Sequence, residues 1–236
     1  MKLAVMQPYI FPYIGYFQLL NAVDHFVFYD DVNYIKRGWI NRNNILVSGK
    51  ASLFTVPLEK LSQYSEIREI NTHSIMYQRW LIKFIQTLNQ NYKKAPFFNN
   101  VFPIIKKILE SSEVNNIGVL SAKSIKEISN YLQLNKTFHT SSEEFSESKG
   151  RDRAERLITI AHDLNCEEYV NSIGGQELYA KDVFKAENIK LNFLNPSITK
   201  YPQFKNEFVP GLSIIDVLMF NSIDEIKIML NNYSLI

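Results

Sequence analysis

Three features of the sequence predict an α/β fold with a mostly parallel sheet flanked by helices. Short apolar runs of strand length alternate with segments of helical period along most of the chain. Strand, helix and strand succeed one another within the first thirty residues, which implies a parallel pair with a right-handed crossover. A second strand-helix-strand series follows between Lys136 and Asn195.

The elements read in order as follows. Lys2–Met6 (KLAVM) is a strand of five residues. Pro8 and Pro12 keep Gln7–Tyr13 out of regular structure. Ile14–Val23 places Ile14, Phe17 and Leu20 at helical spacing, and His25–Asp31 (HFVFYDD) is a second strand. After the polar-aromatic stretch Val32–Asn44, two β-rich runs flank Ser48-Gly49-Lys50 and read as an inserted hairpin. Glu66–Ile70 (EIREI) is expected to add a strand. A long helix over Ser74–Tyr92 carries the apolar stripe Tyr77, Leu81, Phe84, Ile85 and Leu88.

Residues 95–134 look helical, interrupted at Pro96 and Pro103, with Ile117, Leu120, Ile125, Ile128 and Leu132 as a further stripe. Lys136–Ser142 is then a strand, Arg151–Asn165 a helix, Glu167–Ser172 a strand and Ile173–Tyr179 a glycine-bearing loop. Tyr179–Ala186 is a helix and Ile189–Asn195 a strand. The chain closes with two helices, opened loosely by Ser213-x-x-Asp216 and by the capping box Ser222-x-x-Glu225. There is no internal repeat. We expect one α/β domain over residues 1–236, with a helical subdomain at about 74–134.

Composition narrows the function. The 236 residues are 46% hydrophobic and 21% charged, ordinary globular values. Lys plus Arg number 26 against 24 Asp plus Glu, and a net charge of +2 lacks the broad basic excess of a nucleic-acid binder. Cys166 is the single cysteine, which excludes an internal disulfide and any multi-cysteine metal site. Near the amino terminus, Gln7, Pro8, Pro12, Gly15 and Gln18 break up every apolar run, so neither a secretory signal nor a spanning helix is read there. A cytoplasmic protein is the expectation.

In open parallel sheets, ligands sit beyond the carboxyl ends of the strands, near the switch in strand order. Three polar clusters follow predicted strands and are expected on one rim: Gln7–Tyr16, Asp30–Arg42 and Asn171–Tyr179. An amide directly after a buried strand, as in Gln7, needs partners that a ligand can supply. Asp30-Asp31 fits a turn or cap as well as a site. Lys36-Arg37, with Gly38-Trp39 and Asn41-Arg42 after it, has the density of polar types a site needs.

Gly174-Gly175 is a weak phosphate-loop signal, and Tyr201-Pro202-Gln203 reads equally as a ligand loop or a turn. Tyr9, Phe11, Tyr13, Tyr16 and Phe17 read individually as core. Arg151, Arg153 and Arg156 read as an exposed helix start, and Ser213 with Asp216 as capping. The four histidines show no metal spacing, and no carboxylate-His-His cluster is read. Cys166 reads as a buried small residue, and no Gly-x-Ser-x-Gly elbow occurs.

The stretches MQPYIFPYIGYFQLL, YDDVNYIKRGWINRNNI, TVPL, YPQF and LSIIDVL together resemble the WbqC-like family over essentially the whole chain. That resemblance implies a role in surface-polysaccharide or O-antigen synthesis, with transfer of glycine or a similar amino acid onto an amino sugar. A more distant resemblance is to nucleotidylyltransferases and pantothenate synthetase, in which a first strand and a proline-containing loop lead to His-x-Gly-His at a helix start that holds ATP phosphates. It implies a Rossmann-like (HUP-like) sheet. Here the signature reads Tyr13-Ile14-Gly15-Tyr16. Phenols, with a pKa of about 10, hydrogen-bond a phosphate but cannot neutralise it as imidazolium does.

Cations must then come from elsewhere, and Lys36, Arg37 and Arg42 are nearest in sequence. On these resemblances Asp30, Asp31 and Lys36 are the expected catalytic residues, the two aspartates holding an ammonium group. Gln7, Tyr13, Gly15, Tyr16, Arg37, Asn41, Arg42, Asn171, Gly174, Gly175, Tyr201 and Gln203 are the expected binding residues. No metal ligand is expected in the protein itself. The substrate implied is a nucleotide-linked amino sugar, with ATP and Mg as cofactor, and free amino acid, aminoacyl-tRNA or an acyl thioester as donor. Nucleotidyl transfer and non-catalytic nucleotide-sugar binding are the alternatives.

Overall fold

The computed structural model describes residues 1–60, 62, 64–111 and 115–236. Strand β1 (Lys2–Met6), helix α1 (Ile14–Asn21) and strand β2 (His25–Phe28) form the amino-terminal unit, with β1 parallel to β2 and Leu3 opposite His25. The chain then leaves the sheet. It builds the antiparallel hairpin β3 (Arg42–Val47) and β4 (Lys50–Thr55), then helices α2 (Ser74–Tyr92), α3 (Phe98–Leu109) and α4 (Ile117–Tyr131). It returns as β5 (Thr137–Thr140), parallel to β2.

Helices α5 (Ser141–Glu144) and α6 (Arg153–Asp163) lead to β6 (Glu168–Ser172), and α7 (Lys181–Ala186) to β7 (Lys190–Pro196). Helices α8 (Ile214–Phe220) and α9 (Ile223–Leu230) and strand β8 (Tyr233–Leu235) complete the chain. The sheet order is β5-β2-β1-β6-β7-β8. All neighbours are parallel except β8, which runs antiparallel to β7. The chain thus steps outward from β1 to β2 and β5 on one side, then restarts at β6 on the other. Strand order therefore reverses between β1 and β6, as in Rossmann-like folds.

Alternation along the strands explains the two layers. Ala4, Phe26, Phe28 and Val170 face a core shared with α1, the helices α2 to α4, α8 and α9. Leu3, Val5, Val27 and Tyr169 face the other side, where Leu157, Ile160 and Phe184 of α6 and α7 cover them. Ser48 and Gly49 adopt φ of 50° and 78°, the double positive that a two-residue turn between right-twisted strands requires.

Several elements differ from expectation. Glu66–Ile70 is no strand. Its backbone reaches the loop after β2 instead, with Ile67 N donating to Val32 O (3.0 Å) and Arg68 N to Asp30 O (2.9 Å), and Ile67–Glu69 forms a 3-10 turn. Pro103 lies inside α3. Burial of Val101, Ile105, Ile108 and Leu109 outweighs its missing donor. Of the helical expectation over 95–134, positions 112–114 lie outside the described residues. The strand from Lys136 stops at Thr140, because Ser141 begins a helix held by Asp30. The short β8 was not anticipated, since three residues carry too little pattern.

The β2–β5 register also creates a carboxylate-imidazole-imidazole chain, contrary to the sequence expectation. His25 Nδ1 lies 3.0 Å from His139 Nε2, and His139 Nδ1 lies 2.6 Å from Glu144 Oε2. A separation of 114 residues hid it. Among the described residues no group of three or more His, Cys, Asp or Glu is placed to hold a metal. Nor is any described helix long and apolar enough to cross a membrane.

Candidate functional site

A cleft of about 540 Å³ opens where the strand order reverses. Met6 and Gln7 reach it from the end of β1, Tyr29 from the end of β2, and Asn171, Ser172 and Gly174 from the end of β6. Parallel strands ending side by side put these residues on one rim, although the chain separates them widely. The fourth wall is the entry to α6, with Arg151, Arg153 and Arg156.

Arg156 is the fixed member of this wall. It is only 5% exposed, because it sits on the stripe of α6 that also buries Leu157 and Ile160. Its Nη2 donates to Asp31 Oδ2 at 2.6 Å, Nε to Ser148 Oγ at 3.1 Å, and Nη1 to Tyr29 Oη at 3.3 Å. The guanidinium also lies over the Tyr29 ring, 4.7 Å from its centroid. Arg151 and Arg153 are exposed, and Arg151 donates only to the Thr159 hydroxyl among the described residues.

The aspartates after β2 anchor this wall. Ser141 Oγ stands 2.5 Å from Asp31 Oδ1, so both carboxylate oxygens of Asp31 are engaged. Asp30 accepts from Ser142 N (3.0 Å) and Ser142 Oγ (2.7 Å), which makes it an external cap for α5. Burial pushes the phenols of Tyr29 and Tyr179 above their usual range. Arg156 offsets part of the rise at Tyr29, and Arg153 a smaller part at both. Both phenols are therefore neutral donors at neutral pH.

The expected site residues divide by location. Gln7, Asn171, Gly174 and Gly175 line the cleft, and Asp31 stands behind it through Arg156. A Cβ on Gly175 would lie 2.9 Å from Asn171 Cγ, so this glycine lets the amide pack, whereas a Cβ on Gly174 would meet open space. Lys36 and Arg37 are exposed on the loop beside Ile35, itself a cleft residue. Arg42 turns back on that loop, donating to Gly38 O (2.9 Å) and to Arg37 O, and stacks on Trp39.

The others serve the fold. Tyr16 is buried and donates to Gln7 O at 3.0 Å, which holds the loop after β1. Asn41 accepts from Tyr34 Oη (2.7 Å) and donates to Val56 O (2.9 Å). Tyr201 Oη and Gln203 Nε2 each donate to Asp216 Oδ1 at 2.7 Å, while Tyr92 Oη donates to Asp216 Oδ2 at 2.8 Å. Asp216 is thus a buried acceptor rather than a capping residue. Ser213 does cap α8, and also donates to Phe11 O at 2.7 Å. Tyr13 packs its ring over Gly15, where a Cβ would come within 2.4 Å of it.

Reading Arg156 as part of an exposed helix start is corrected by its burial. Helical period alone could not decide this, since Arg156 lies three residues from the exposed Arg153 and four from the buried Ile160. Tyr29 lies inside the strand expected over His25–Asp31 and gave no signal of its own, whereas Tyr179 closes the Asn171–Tyr179 cluster expected on the rim.

The WbqC-like protein family matches residues 7–228, from the amide at the cleft to α9. The chain belongs to this family. A Mycobacterium tuberculosis protein named "Uncharacterized protein Rv1507c" is 28% identical over 221 residues, covering 93% of each chain. No solved structure matches this WbqC-like chain.

Proposed function

We propose that this WbqC-like protein transfers a glycine-like amino acid or another acyl group to the amine of a nucleotide-linked amino sugar in surface-polysaccharide biosynthesis. One observation carries the reading: three arginines face a rim of amides and backbone across a cleft at the reversal of strand order. Guanidinium suits phosphate, and amides suit sugar hydroxyls and amines.

In this reading the sugar nitrogen attacks the acyl carbon and a C–N bond forms. The bond to the leaving group breaks, and the amine proton leaves to solvent. The leaving group is AMP or phosphate in the ligase form, with ATP and Mg as co-substrate, and a tRNA ribose oxygen or a thiol in the transferase forms. Asp31 positions Arg156 rather than an ammonium group, and Gln7 Oε1, which among the described residues contacts only Tyr9 Oη at 3.5 Å, is the acceptor we assign to the amine. A nucleotidyl transfer at the start of α1 is disfavoured, because the Tyr13 ring occupies the approach to Gly15.

Incubation with ATP, glycine and a nucleotide-linked amino sugar tests the ligase form. The expected result is release of AMP or ADP and a mass gain on the sugar. Parallel incubations with glycyl-tRNA and an acyl thioester test the transferase forms, and no mass gain in any of them overturns the reading. Binding without turnover would make the protein a nucleotide-sugar carrier.

A further inference from the structure

The cleft is electrically one-sided. Among its described lining residues are three arginines and no aspartate or glutamate. Of the carboxylates adjoining the lining residues, Asp31 is committed to Arg156 at 2.6 Å and Asp152 to the Ala154 amide at 3.0 Å as the cap of α6, while Glu177 is exposed and is not part of the lining. Arg153 makes no ion pair among the described residues. The side-chain oxygens that remain on the lining, from Gln7, Tyr9, Tyr29, Asn171, Ser172 and Tyr179, are all neutral.

A hard divalent cation such as Mg²⁺ is held by carboxylates together with substrate phosphates. A phosphoryl group that enters this cleft instead meets planar, permanently charged donors of the geometry that binds phosphate oxygens in pairs. We propose that the α6 side of the cleft is a diphosphate subsite, filled by arginine and phenol donors without a divalent metal. The inference deepens the functional reading above and rests on it for the substrate class.

The roles divide by mobility. Arg156 is locked by three partners and offers its remaining N–H groups from a set position. Arg151 and Arg153, on the exposed entry to α6, close onto the anion from outside. Tyr29 accepts from Arg156, so its own proton is available to a phosphate oxygen. Gly174, with open space where a Cβ would stand, leaves room on the opposite wall for the group attached to the diphosphate.

The test is calorimetric titration of the full chain with UDP and with inorganic pyrophosphate, once with excess EDTA and once with excess Mg²⁺. Dissociation constants within about twofold in the two buffers are expected. Arg153→Ala, an exposed change that leaves the buried pair intact, is expected to weaken both ligands about tenfold, the scale of one charged hydrogen bond. Arg79→Ala on the exposed face of α2 controls for net charge and is expected to change nothing.

Tenfold tighter UDP binding with Mg²⁺, equal effects of the two substitutions, or no binding of either ligand overturns the subsite. Binding in EDTA that depends on Arg153, in a protein that gives no acyl transfer, supports the subsite and counts only against the transfer reading.

Discussion

Arg156 and Asp31 stand 125 residues apart in the chain and 2.6 Å apart in the fold. The pair is almost wholly buried, with side chains 6% and 1% exposed. It ties α6, on one face of the sheet, to the end of β2, and so sets the angle of the arginine wall toward the cleft. A buried pair of this kind adds little net stability over an apolar substitute, but removal of one partner strands the other charge.

Asp31→Ala should therefore destabilise the protein by about 3–5 kcal/mol, since Arg156 remains buried without its counter-charge. Ser141→Ala removes a hydroxyl donor but leaves the ion pair, and should cost about 1–2 kcal/mol. Urea denaturation of both variants, with m-values unchanged, measures the difference. Equal losses would show that the ion pair is no more important than the hydroxyl.

How the sheet and cleft were legible follows from which signals are local. The units β1-α1-β2 and β6-α7-β7 could be read because strand runs and helical stripes lie within a few residues of each other. Gln7, Asn171 and Gly174 were legible because the residues directly after parallel strands meet on one rim. Arg156 was not: its burial depends on Asp31, Tyr29 and Ser148, which pattern along α6 cannot reveal. The Asp216 cluster and the His25–His139 contact were hidden for the same reason, each joining residues from separate elements.

Gly15→Ala tests the packing at the start of α1. The new Cβ would lie about 2.4–2.5 Å from Tyr13 ring atoms, so the ring must swing away. Overpacking of this kind costs about 1–3 kcal/mol. Adding Tyr13→Ala should recover part of that loss, giving a double-mutant cycle with favourable coupling. Strict additivity in the cycle would mean that the ring is not what excludes the methyl group.

Asp216 should give an unusual pH signature. Burial raises its pKa, and the hydrogen bonds from Tyr201, Gln203 and Tyr92 act against that rise. The folded value stays above the ordinary 3.8. The folded protein therefore binds the proton more tightly than the unfolded chain. The stabilising contribution is fully present below the unfolded pKa and is lost as pH rises through the folded one. Tyr201→Phe removes a donor to the ionised form, so it should cost about 1–3 kcal/mol near neutrality and less near pH ~4. Denaturant titrations at the two pH values measure this, and a cost that does not change with pH would place the proton elsewhere.

The contact between His25 and His139 predicts the opposite sign. Burial lowers the His25 pKa, the neighbouring His139 adds to the effect, and Asp24 and the amino-terminal ammonium pull in opposing directions. Glu144 holds the far side of His139 at 2.6 Å, and Lys136 donates to the Asn21 and Val23 carbonyls nearby. With the folded pKa of His25 below its ordinary 6.5, the unfolded chain takes up the proton first as pH falls. Stability from this contact is fully present above about pH 6.5 and declines as pH drops through the folded value. A positive charge on His25 beside His139 would also loosen β5 from β2 and, through Glu144 and Ser141, the helix that braces Asp31. The wild-type melting temperature should therefore fall more steeply between about pH 7.5 and about pH 5 than that of His25→Gln, which cannot take up the proton. Parallel slopes for the two proteins would remove the imidazole pair as the source of acid sensitivity.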